Sequence, residues 1–143
     1  MISASHVMTR NMITLSATVS AGEALRTLLR HKISSAPVVD DDGRLLGTIS
    51  EFQLLKVIYQ PKLAEQKVAE LMTRDTVAVE EDMPLVNVAD KFIFHHIRRL
   101  PVVNNARLVG LISHRDLLSF AVSDEPESLD QWFCLLVDNA HSE

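Results

Sequence analysis

The sequence predicts a mixed α/β (α+β) chain built from two copies of one β-α-β-β-α unit, and three observations predict it. The first is self-similarity. Met8-Thr9-Arg10 returns as Met72-Thr73-Arg74, and Ile33 with Pro37-Val38-Val39 returns as Ile97 with Pro101-Val102-Val103, at a constant spacing of 64. Further on, Arg44-Leu45-Leu46-Gly47-Thr48-Ile49-Ser50 matches Arg107-Leu108-Val109-Gly110-Leu111-Ile112-Ser113 at a spacing of 63, so one residue is missing from the intervening turn, a change that a surface loop tolerates. The second observation is that both copies run through the same order of helical and strand periodicities. The third is size: in a chain of 143 residues, a copy of roughly 60 buries too little surface to be comfortably stable alone, so the copies are expected to pack together.

Each element has a local reason. Ser20 followed by Glu23 has the spacing of a capping box, and Ala21, Ala24, Leu25, Leu28 and Leu29 recur behind it as one helical face. In the second copy Pro84 opens the helix, with Leu85, Val88, Ala89, Phe92 and Ile93 on the equivalent face. Pro37-Val38-Val39 and Leu45 to Ile49 read as strands joined by a hairpin turn at Asp41-Asp42-Gly43; the second copy turns at Asn104-Asn105-Ala106. Ser50 to Gln53 and Ser113 to Asp116 then have the composition of a helix N-terminus. Leu54, Leu55, Val57 and Ile58 form the expected buried side in one copy, and Leu117, Leu118 and Ala121 in the other. The boundaries that follow are repeat 1 over residues 1–62, repeat 2 over 63–122 and a C-terminal amphipathic helical tail over 123–143.

Composition narrows the function classes. Apolar residues make up 47% and charged residues 23%, the balance of an ordinary globular protein. A net charge of −5 gives no long-range attraction to phosphate backbones or anionic lipid, so neither nucleic acid nor membrane is expected as a partner. Cys134 is the only cysteine, which excludes an internal disulfide and a Cys-rich metal motif and fits a reducing, cytoplasmic compartment. The sequence shows neither a secretory leader pattern nor an apolar run of membrane-spanning length.

The paired Met-Thr, X-Pro-Val-Val, apolar-Gly-apolar-Ile-Ser and Ser-x-x-Asp motifs resemble those of the CBS domain family, named after cystathionine β-synthase, whose members occur as tandem pairs. The resemblance covers residues 7–58 and 71–122. It implies two repeats related by a pseudo-two-fold, clefts that can hold AMP, ADP, ATP or a related adenosyl compound as a regulatory ligand, and association as a homodimer. It implies no catalytic cofactor. The chain departs from the family after the first helix of each copy, where a common glycine is Lys32 or His96; those helix ends are expected to lose an inexpensive left-handed cap.

A ligand site is expected at Ser113-His114-Arg115-Asp116. A helix N-terminus presents unpaired N–H groups and a partial positive charge to a phosphate, Ser113 can donate its hydroxyl, and Arg115 adds a charge-assisted bond. Asp116 has two acceptor oxygens, suited to paired ribose hydroxyls, and stands where the family's ribose-binding Asp does. The resemblance assigns the adenine side to Thr9, Ile13, Ile33 and Ser34, with Leu111 as another wall. Copy one carries Gln53 in place of Asp116 and Glu51 in place of His114, so its cleft, with Arg98 and Arg99 instead of Ser34 and Ser35, is expected to be the weak or empty one.

Simpler roles exist for the same residues. Ser113 and Asp116 make an ordinary helix cap, and Arg115 suits a solvated surface. His95-His96 with Arg98-Arg99 lacks the carboxylate or cysteine at ligand spacing that a metal would need. Met8 and Met72 fill core. With no Gly-rich phosphate loop or nucleophile elbow, the chain is expected not to be an enzyme, and any output is expected to act on a separate effector protein. The alternative is a scaffold or dimerisation module without a nucleotide. In the tail, Leu129, Trp132, Phe133, Leu136 and Val137 fall at helical spacing, giving an apolar face that must be buried on its own chain or at an interface.

Overall fold

Two three-stranded sheets form around the continuous buried runs 36–38 and 100–103, in a computed structural model that describes residues 2–123. The elements are α1 (Ala4–Val7), β1 (Leu15–Ser16), α2 (Ala21–His31), β2 (Ser35–Val39), β3 (Leu45–Ser50), α3 (Glu51–Leu54), α4 (Lys56–Tyr59), a 3-10 turn η1 (Pro61–Glu65), α5 (Val68–Leu71), β4 (Val79–Glu80), α6 (Leu85–His95), β5 (Arg99–Asn104), β6 (Arg107–Ser113) and α7 (His114–Ser123). The sheet orders are β1-β2-β3 and β4-β5-β6, with β1 parallel to β2, β4 parallel to β5, and β2 antiparallel to β3. Each repeat thus has the expected strand, helix, strand, strand, helix order, and each gains a short leading helix, α1 or α5. The predicted tail beyond Ser123 lies outside the described residues.

The chain divides into two compact units. One, the Ile13 unit, holds Ile13–Thr76 with Ala106–Leu108; the other, the Val77 unit, holds residues 2–12, Val77–Asn105 and residues 109–123. The core of the Ile13 unit gathers Leu15, Ala24, Leu28, Val38, Ile49, Leu54, Val68 and Met72. That of the Val77 unit gathers Ala4, Val79, Leu85, Val88, Phe92, Leu100, Val102, Ile112 and Leu117, with Met8 packed against it. Both opening methionines serve the cores, as expected.

Local chemistry explains the helix ends. Ser20 caps α2 by accepting the Glu23 N–H at 3.1 Å, and Pro84, with φ −59°, precedes α6. Contrary to expectation, the missing glycines do not abolish the left-handed caps: Lys32 and His96 adopt φ 55° and 52° themselves. The following strand has to start against the helix at both places, and tertiary packing imposes the conformation on residues that resist it.

The helix faces are narrower than predicted. Ala21, Ala24 and Leu28 of α2 and Leu85, Val88 and Phe92 of α6 are buried, whereas Leu29 and Ile93 point to solvent. Leu54, Leu117 and Ala121 are buried, but Leu55, Ile58 and Leu118 are exposed. At about 100° per residue, the position after a deeply buried residue falls at the rim of the face, and at Leu29, Ile93, Leu55 and Leu118 the core does not reach that far. The first copy's helix also breaks at Leu55 into α3 and α4, where α7 runs on without a break.

The opening segments close the sheet edges. Thr9 exchanges two backbone hydrogen bonds with Leu111 on β6, at 2.8 and 3.0 Å, and Thr73 exchanges two with Thr48 on β3, both at 2.9 Å. Since β3 and β6 are outer strands, these bridges satisfy groups that an open edge would leave to another chain.

Candidate functional site

The expected ligand-binding residues occur in both units. Thr9, Leu111, Ser113, Arg115 and Asp116 belong to the Val77 unit, and Ile13, Ile33 and Ser34 to the Ile13 unit. In the Val77 unit the β6–α7 junction sets the geometry. The Asp116 N–H donates to Ser113 Oγ at 3.0 Å, and the Ser113 N–H donates back to Asp116 Oδ2 at 2.9 Å. This is the capping arrangement anticipated for that pair, and among the described residues Asp116 Oδ1 accepts no hydrogen bond. His114 donates its backbone N–H to the Arg98 carbonyl at 3.0 Å, which ties the start of α7 to the segment leading into β5. Arg115 is exposed, and Leu111 and Thr9 are held side by side by their backbone bridge.

Gly110 sets how close that bridge lies. A Cβ there would stand 2.6 Å from Met8 Sδ and 3.1 Å from the Thr9 carbonyl oxygen, so the opening Met-Thr and the strand glycine are partners in space.

The equivalent junction in the Ile13 unit is locked differently. Gln53 repeats the reciprocal cap with Ser50, at 2.9 and 3.2 Å, and its amide then donates to Thr73 Oγ1 at 2.7 Å and to the Leu71 carbonyl at 3.3 Å. A carboxylate could make neither donation. The Glu51 N–H donates to the Ser34 carbonyl at 2.8 Å, the counterpart of the His114–Arg98 bond.

A cavity of about 510 Å³ opens beside this junction, lined by Ser34, Ser35, Ser50, Glu51, Phe52 and Leu55. Of these, Ser34 and Ser35 were expected to line one cleft and Glu51 to face the other, weaker one, whereas Leu55 was expected in the core. The antiparallel partnership of Ser35 with Ser50 brings the two hydroxyl-bearing ends together.

The matches to known proteins follow this repeat. The family model for the CBS domain matches twice, over residues 4–60 and 68–123. This chain belongs to the CBS domain family. Among solved CBS structures, that of CBSX2 in complex with AMP is similar with a TM-score of 0.79 and 25% identity, covering 88% of this chain and 100% of that one. The CBS domain pair of MJ0100, in complex with 5-methylthioadenosine and S-adenosyl-L-methionine, gives 0.72 and 28%, covering 87% and 98%. An L-aspartate semialdehyde sulfurtransferase from Methanocaldococcus jannaschii is 32% identical over 78% of this chain but only 21% of its own length. This CBS pair spans less than half the length of the first curated relatives it matches. Among the described residues no helix is long and apolar enough to cross a membrane.

Proposed function

We propose that this CBS pair is a regulatory ligand-sensing module for an adenine nucleotide, AMP, ADP or ATP, or a related adenosyl compound. Ser113 and Arg115 hold the phosphate, Asp116 the ribose hydroxyls, and Thr9 and Leu111 stand on the adenine side. The observation that carries this reading is the contrast between two equivalent positions: Asp116 keeps an acceptor oxygen after capping α7, whereas the Gln53 amide is committed to Thr73 and Leu71. The adenosyl ligands bound to CBSX2 and to the MJ0100 pair support the ligand class. A nucleotide that prefers one of two arrangements of the protein shifts their populations, and a separate effector protein reads the shift.

Titration calorimetry with AMP tests the proposal. One site per chain is expected, with the affinity lowered at least tenfold by Asp116→Asn. Two equal sites, or binding indifferent to that substitution, would refute it.

Exposed apolar side chains recur at matched positions of the two repeats, Leu29 with Ile93, Leu55 with Leu118 and Tyr59 with Val122, which favours a second reading as a dimerisation scaffold. A homodimer by sedimentation, with no thermal shift from any adenine nucleotide, would support the scaffold over the sensor.

A further inference from the structure

The geometry points to an interaction surface on the Val77 unit, the exposed stripe of α7, whose occupant is the chain's own tail, residues 124–143. It does not depend on the nucleotide reading of Ser113–Asp116. Arg115, Leu118 and Val122 follow one another at spacings of three and four, so they stand in one row on α7, and all three are exposed. Their neighbours Leu117 and Ala121 are buried, which makes the row the outward face of a packed helix. α6 packs against α7 and leaves Ile93 and Phe94 71% and 78% exposed, so the apolar surface is more than one side chain wide. At the head of the row the charge is positive. The His114 N–H donates to the Arg98 carbonyl, which brings Arg98 and Arg99 to the start of α7 with Arg115. Asp116, the acid among them, has a carboxylate oxygen turned to the Ser113 N–H.

Three properties of the tail sequence match this surface. The first is its apolar face: Leu129, Trp132, Phe133, Leu136 and Val137 fall at helical spacing, and a stripe with two aromatic rings has to be covered. The second is charge. All 14 Lys and Arg of the chain precede residue 124, whereas residues 124–143 hold Asp124, Glu125, Glu127, Asp130, Asp138 and Glu143. The third is reach. The tail leaves from Ser123, next to Val122, and residues 124–128 span at most about 17 Å, which keeps the apolar run near α7 at a high effective concentration. As a helix running back along α7, Leu129 to Val137 extends about 12 Å, against about 11 Å from Val122 to Arg115. That register lays the apolar residues over Leu118 and Val122 and brings Asp138 to Arg98, Arg99 and Arg115. The matched row of the Ile13 unit is Phe52, Leu55 and Tyr59, headed by Ser34, Ser35 and Glu51 in place of Arg98, Arg99 and His114, so an acidic segment gains nothing at its head. The tail in this position leaves the Ile13 unit's row, and not that of α7, open to another protein.

Trp132 is the only tryptophan of the chain, so in the full-length protein its fluorescence reads the tail alone. The test is acrylamide quenching of Trp132 over a dilution series, with sedimentation alongside. Trp132 is expected to be shielded at every dilution, and Leu118→Glu with Val122→Glu should raise the quenching constant at least threefold without changing the oligomeric state. Leu136→Glu in the tail should raise it as much, and combined with the α7 pair should add nothing. Leu55→Glu with Tyr59→Glu, at the matched positions of the Ile13 unit, should leave it unchanged. All four helix positions are exposed, so the fold is not at stake, and far-UV circular dichroism checks it. An open Trp132 in the unaltered chain, or a shielded one indifferent to Leu118→Glu with Val122→Glu, overturns the inference. Shielding lost together with a dimer, whether by dilution or by either pair of substitutions, also overturns it, since a second copy would then be the occupant.

Discussion

Gly47 lies so close beneath Thr73 that a Cβ at position 47 would fall on the Thr73 carbonyl oxygen, the same oxygen that accepts the Thr48 N–H at 2.9 Å. The obstacle is backbone and cannot rotate away. At Gly110 the nearest obstacle is instead the flexible side chain of Met8. Gly47→Ala is therefore expected to cost about 1–3 kcal/mol and to lower the urea midpoint more than Gly110→Ala does. Equal midpoints for the two variants would show that the Thr73 segment yields as readily as a methionine.

The left-handed conformations of Lys32 and His96 lead to a gain rather than a loss. A side chain with a Cβ is disfavoured there by about 1–2 kcal/mol, a penalty glycine escapes at some cost in unfolded-state entropy. Lys32→Gly and His96→Gly should each raise stability by about 0.5–1 kcal/mol. Denaturant melts showing a lower midpoint for both would mean that their side chains contribute contacts outweighing the backbone term.

Leu54 and Leu55 separate core from surface at neighbouring positions. Leu54 is 1% exposed and Leu55 49%. Leu54→Ala should destabilise by about 2–5 kcal/mol, and Leu55→Ala by less than about 1 kcal/mol, as read from equilibrium unfolding.

Gln53 and Asp116 should respond oppositely to removal of their special group. Gln53→Ala deletes half of a reciprocal cap and the bond to Thr73, costing about 1–2 kcal/mol. Asp116→Asn keeps an acceptor for the Ser113 N–H and should leave the melting temperature nearly unchanged while weakening AMP. If Asp116→Asn lowered the melting temperature as much as Gln53→Ala, its carboxylate would be structural first.

Much of this molecule is legible in the residue order because its motifs act locally. Ser20, Ser50 and Ser113 cap the helices that follow them, since a serine hydroxyl needs only an N–H three residues ahead. The hairpin turn at Gly43, with φ 82°, is likewise a property of a few neighbouring residues. The helix faces were legible in period but not in width: Leu29, Ile93 and Leu118 satisfy the helical spacing yet stay in solvent, because how far a core wraps around a helix depends on what packs against it. The cavity was harder still, since Ser35 and Ser50 become neighbours only through strand pairing.

The sequence by itself determined the duplication, the order of the elements and the contrast between Glu51-Phe52-Gln53 and His114-Arg115-Asp116, because periodicity, capping and charge are carried by residues close together in the chain. Only the tertiary structure decided where each Met-Thr goes: Met8-Thr9 closes the edge of β6 against Gly110, and Met72-Thr73 that of β3 against Gly47. Each opener thus packs with the strand of the other repeat. Both outer strands offer unpaired backbone groups and a glycine that admits a second chain segment, so no local pattern encodes which opener each receives.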